Sequence, residues 1–201
     1  MIHQNGENKH GRDSTLKWSE LKKLLQEADQ KELIKMLHDL YENSIDNRRY
    51  ITARYAKAED KNMILEAYRK RVINVYFHPR GAASRPRYSV AKKAINDYSE
   101  ASGDIKGTMD LALTLVENIM KYIYEFSGID EASRVGVSDM MEKFCKLIQT
   151  EEGQKFYPYF KERLNKLYRD SEDSPYGPGD NLRYYISILD DDFFEEESQD
   201  N

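Results

Sequence analysis

Arg48, Arg49, Arg54, Arg69, Lys70, Arg71, Arg85, Arg87, Lys92 and Lys93 alternate along one stretch with Tyr50, Tyr55, Tyr68 and Tyr88. Guanidinium and ammonium groups hold phosphate oxygens and tyrosine rings stack on bases, so the chemistry within reach of this stretch is binding of a nucleic acid or another phosphorylated ligand. Across residues 48–93 thirteen basic residues stand against only Glu59, Asp60 and Glu66, while residues 94–201 hold eleven basic and twenty-four acidic ones in a chain of net charge −5. The same pattern has a plainer use, in which Arg54 and Arg69 pair with acidic helices from the other half, and in an acidic protein internal pairing is the favoured expectation.

Other residue types that do chemistry lack companions. His38-Asp39 has the form of a metal-phosphohydrolase dipeptide, but His3, His10 and His78 fall in expected loops without ligand spacing. Asp190, Asp191 and Asp192 are adjacent, without the alternate spacing and glycine turn of a calcium loop. Pro178 removes a backbone donor from Gly177-Pro178-Gly179, where a phosphate loop needs one. Cys145, the single cysteine, lies in an apolar helical pattern and reads as core. No nucleophile has an identifiable base and orienting acid, so the expectation is a protein without catalytic residues, metal or cofactor.

The elements that position these residues read as helices throughout. Trp18, Leu21, Leu25 and Ala28 recur at helical spacing, and Asp29 with Glu32 has capping-box spacing ahead of Leu33, Ile34, Leu37, Leu40 and Tyr41. Two amphipathic helices are therefore expected to face each other across a tight turn. A third helix carries Arg48, Arg49 and Arg54, and Asp60 is placed to cap a fourth that buries Ile64, Tyr68, Val72 and Tyr76 before Pro79, Gly81 and Pro86 end it in a basic loop. A fifth, over Val90 to Ala101, stops at Gly103 as a left-handed cap requires. The segment 109–126 is apolar on nearly all sides and reads as the central helix. Two narrower helices, around Met140 and Leu164, cover it, with Pro158 tolerable only in a first turn. A short last helix spans 182–189, within which 184–189 is the one segment where a strand is conceded.

The fold class is thus all-α, about eight to nine short helices arranged as an irregular bundle or a stack of helix pairs. One domain is expected over 15–189, between a polar amino terminus, 1–14, and an acidic tail, 190–201, whose repulsion and low apolar content favour disorder. Without an apolar leader or a run of bilayer length, the protein is expected to be cytoplasmic, with no membrane partner.

Three stretches resemble a family of uncharacterised bacterial all-helical proteins: residues 39–55, with Ser44, Asn47, Arg48 and Arg49; residues 91–104, with Lys92-Lys93-Ala94-Ile95, Asp97-Tyr98 and Ser102-Gly103-Asp104; and Tyr176-Gly177-Pro178-Gly179-Asp180. The resemblance covers roughly 20–182 and implies an armadillo- or HEAT-like right-handed superhelix, but no activity. The leading functional expectation is a non-enzymatic helical scaffold that binds another protein. The alternative is a nucleic-acid or phospho-ligand binder using the 48–93 face. In the tail, Phe193 and Phe194 sit among seven acidic residues and no basic one, a segment suited to fold over a basic surface or dock on a partner.

Overall fold

The computed structural model describes residues 16–126, 128, 130–172 and 177–197, with side chains described as far as 189. The chain divides into two compact units, Met1–Arg48 and Arg49–Asn201. Its architecture is all-α, with ten helices among the described residues.

In the first unit, α1 (Trp18–Glu27) and α2 (Gln30–Asn43) form where the apolar spacing places them. The capping box at α2 is present: Glu32 donates its backbone N–H to Asp29 Oδ1 at 2.9 Å while Asp29 donates its own to Glu32 Oε2 at 3.2 Å. The expectation that the two helices close on each other fails. Neither buries a residue, and Ala28 and Asp29, both extended, form the whole connection between them.

α3 (Ile45–Arg54) begins at Ser44, whose hydroxyl accepts from Asn47 N at 3.3 Å. In the second unit a 3-10 turn, Ala58–Asp60, leads into α4 (Lys61–Asn74), so Asp60 precedes the helix without the side-chain cap expected of it. Where a loop was expected, β1 (Phe77–His78) and β2 (Gly81–Ala82) make a minimal antiparallel hairpin in which Phe77 pairs with Ala82 and His78 with Gly81. Gly81 has φ 126°, which an L side chain resists, and this lets two residues reverse the chain.

α5 (Tyr88–Ser102) ends at Gly103 in the left-handed region, φ 62°, as its sequence requires. α6 (Ile105–Phe126) is the central element: Met109, Leu111, Leu113, Leu115, Val116, Ile119 and Ile123 are completely buried. Fully burying a side chain of this kind is worth about 1.5–3 kcal/mol, so this helix holds the largest share of the core. α7 (Glu131–Ile148) packs most extensively on it, and α4 and α5 cover other sides. A single turn, α8 (Glu151–Gln154), precedes α9 (Tyr157–Asp170), with Pro158 in the first turn as its missing donor demands.

α10 (Pro178–Glu197) is longer than expected at both ends. Leu182, Ile186 and Leu189 bury one stripe of it against α7 and α9, so the segment conceded as a strand is helical. Residues 190–197 continue the helix rather than starting a structureless tail. Once a helix is nucleated each further residue adds a hydrogen bond at low cost, which an argument from composition alone omits. Residues 1–14 and 198–201 lie outside the described residues.

Candidate functional site

The arginines and lysines of 48–93 are put to different uses. In the first unit Arg48 pairs with Glu42 at 2.9 Å and lies over the Tyr41 ring, 5.1 Å from its centroid. In the second, Arg54 reaches the Glu100 carbonyl at 3.4 Å. Arg69 binds Asp110 of α6 and Glu66 of its own helix. Lys92 binds Asp139 of α7, and Lys93 holds Asp97 one turn on at 2.6 Å. Arg49 and Lys70 are exposed and Arg71 is half-buried. Arg85 and Arg87 stand exposed in the loop after the hairpin. The four tyrosines of the expected stacking surface divide: Tyr50 and Tyr55 are exposed, whereas Tyr68 and Tyr88 are buried, 3% and 8% exposed, because they supply the apolar stripes of α4 and α5. Phe193 and Phe194 fall on the end of α10, outside the residues whose side chains are described.

Three polar clusters hold the second unit together, and none was legible as a group in the sequence. Arg163 of α9 spans to α6, donating from Nη1 to Asp110 Oδ1 at 2.6 Å and from Nε and Nη2 to the two Glu117 oxygens at 2.8 and 2.9 Å. Its Nη2 also reaches Thr114 Oγ1 at 3.2 Å. Burial works against its charge, but Glu117 and Asp110 outweigh that and raise its basicity. Asp110 thereby joins Arg69 and Arg163, both residues of other helices, across one carboxylate.

In the second cluster Tyr88 and Lys92 both donate to Asp139. Burial alone would raise that carboxyl, yet the two donors hold it below its ordinary range. Lys143, half-buried beside them, donates to Asn96 Oδ1 at 3.2 Å, and burial lowers its affinity for the proton. In the third, Asp130 caps α7 by accepting from Ser133 N and Oγ, both at 2.9 Å, so the Tyr76 hydroxyl donates to Ser133 Oγ at 2.8 Å. Burial pushes the Tyr76 phenol up to about 12. All three clusters are internally satisfied, which suits positioning rather than reaction. Among the described residues, no group of three or more His, Cys, Asp and Glu side chains is placed to hold a metal ion.

A groove of about 400 Å³ runs beside the Arg163 cluster, lined by Glu117, Met120, Lys121, Tyr124, Arg163 and Leu167. Its charged walls are paired, Lys121 with Glu125 at 3.6 Å and Lys166 with Asp170, leaving an apolar floor.

The first unit carries a different surface. Trp18 is 69% exposed, and Leu24, Ile34, Leu37 and Leu40 are all exposed. On α2, Leu33, Ile34, Leu37, Leu40 and Tyr41 fall on one broad face, with Lys31, Lys35, Asp39 and Glu42 opposite. The periodicity of these helices was readable; that nothing in their own unit buries them was not, because amphipathic spacing looks the same whether a face is covered or open. No helix among the described residues is long and apolar enough to cross a membrane.

Comparison with protein-family models, curated proteins and solved structures finds no match to this chain.

Proposed function

We propose that this protein is a non-enzymatic helical scaffold that binds another protein through the apolar faces of α1 and α2. The observation that carries this reading is the pair of amphipathic helices that bury no residue while exposing Trp18, Leu24, Ile34, Leu37 and Leu40. Large apolar side chains on a polar-backed helix match helix-in-groove recognition, where residues at i, i+3, i+4 and i+7 act as anchors. Charge favours a protein partner over a bilayer surface: α1 and α2 together carry four lysines against five acidic residues, without the cationic excess that draws a helix to anionic lipid. The second unit, with its satisfied clusters and continuous core, supplies the stable fold in this reading. The acidic end of α10 is the second contact in this reading, its charge steering a basic partner.

Leu37→Glu tests it. The side chain is half-exposed, so the variant keeps its helicity by circular dichroism and its unfolding midpoint. Affinity capture from the native host with the intact chain recovers a stoichiometric protein, and capture with Leu37→Glu loses it. A partner retained by the variant, or repeated capture of none, rejects the reading.

A further inference from the structure

Residues 67–96 contain no acidic residue. The structure shows which cations of this segment are consumed: Arg69 by Asp110 and Glu66, Lys92 by Asp139 and Lys93 by Asp97. Arg80, Arg85 and Arg87 are exposed and take part in no ion pair among the described residues. They sit on the hairpin and the loop after it, and that platform is fixed to the core. Ala83 N donates to the Tyr76 carbonyl at 2.9 Å, extending the pairing of the strands. Tyr122 of α6 donates its hydroxyl to the Ala83 carbonyl at 2.7 Å and meets Phe77 edge to face at 6.1 Å. Lys121 lies over the Phe77 ring, 4.6 Å from its centroid. At the turn, Arg80 N donates to His78 Nδ1 at 3.2 Å.

We propose that this hairpin and loop form a site for the phosphodiester backbone of a nucleic-acid duplex, with Arg80, Arg85 and Arg87 as the phosphate ligands. Three guanidinium groups that take part in no ion pair among the described residues retain their donors for phosphate oxygens, which they bind through paired N–H groups. Stacking of a single strand has less support, because the tyrosine and phenylalanine rings of the platform are covered and only the smaller His78 ring is exposed: Tyr76 and Tyr88 are buried and Phe77 is half-buried beneath Lys121. Lipid headgroups are disfavoured because Pro79, Ala82, Ala83 and Pro86, the apolar residues around the arginines, offer no large side chain to enter a bilayer. The site is narrower than the 48–93 face that the sequence suggests. Each phosphate neutralised contributes about 0.9 to the slope of log affinity against log salt on duplex DNA, so three contacts correspond to a slope near −2.7.

Fluorescence anisotropy with the full chain and a short labelled DNA duplex, from low to physiological salt, measures that slope. The triple variant R80Q/R85Q/R87Q is expected to bind about tenfold or more weakly at low salt and to flatten the slope by about 0.9 per arginine. A charge-matched control, K61Q/K146Q/K155Q, changes exposed lysines elsewhere and is expected to keep the slope; circular dichroism confirms that both variants fold. No duplex binding at low salt overturns the proposal. So does equal loss in the two variants, which reduces the effect to net charge. Tighter binding of a single strand, of inorganic tripolyphosphate or of anionic phospholipid vesicles than of the duplex overturns the assignment to a duplex backbone.

Discussion

Tyrosine does the work of a polar fastener here. Fifteen tyrosines in one chain bring fifteen hydroxyls that need partners wherever they are buried. Tyr98 donates to Asp104 Oδ2 at 2.6 Å, Tyr122 to a loop carbonyl, Tyr76 to Ser133 and Tyr88 to Asp139. Burial first, and then the acceptor carboxylates, raise the Tyr88 and Tyr98 phenols far above their ordinary range, so both remain hydrogen-bond donors at any pH the fold meets. Asp139 responds the other way. Asp139 holds its proton less tightly in the folded chain than in the unfolded one, so its contribution to stability is present above the ordinary carboxylate value of about 3.9 and is lost as pH falls through the lower, folded value. Asp139→Asn removes this linkage. Thermal midpoints of the two proteins are expected to differ most near neutrality and to converge below about pH 3. A difference unchanged between these conditions means the carboxylate is not linked to folding.

At the scale of elements, α10 shows how a helix is fixed by a stripe rather than by its average composition. Leu182, Ile186 and Leu189 are all buried, and the three lie three and four residues apart on one face. Ile186→Ala leaves a cavity between α10 and its neighbours and is expected to cost about 2–4 kcal/mol in urea unfolding. Truncation after Leu189 removes no described buried side chain and is expected to stay within about 0.5 kcal/mol. An equal cost for both changes would mean that the stripe is not the anchor. Periodicity made most helices legible, including the Gly103 stop and the central position of α6, because burial writes its period directly into sequence. The hairpin was not legible: four paired residues give no alternation to read, and only Gly81 between basic and proline residues hinted at a reversal. Nor were Asp110, Glu117 and Arg163 legible as a cluster, since contacts between α6 and α9 join residues more than forty positions apart. Which cations of the basic stretch are paired and which stay exposed was not legible for the same reason. A sequence shows where cations are, while their neutralising partners come from other helices.

Over the whole molecule, the buried core belongs to one unit, while exposed large apolar side chains stand on both. Every buried hydrophobic residue among the described residues, from Ala53 to Leu189, belongs to Arg49–Asn201, whereas α1 and α2 bury none. Two consequences separate cleanly. Stability follows the area removed from water, so it should reside in the second unit; the proposed recognition uses helix faces that bury nothing, so it should reside in the first. A fragment spanning 44–201 keeps Ser44 as the cap of α3 and all of the core. Because the denaturant slope scales with the surface exposed on unfolding, this fragment is expected to unfold in one transition with nearly the slope and midpoint of the intact chain, while its helical signal falls by the contribution of α1 and α2. It should also lose the partner that Leu37→Glu loses. A drop of more than about 5 °C in the thermal midpoint corresponds to roughly 1–2 kcal/mol in a domain of this size and would show that the first unit stabilises the core as well as serving recognition.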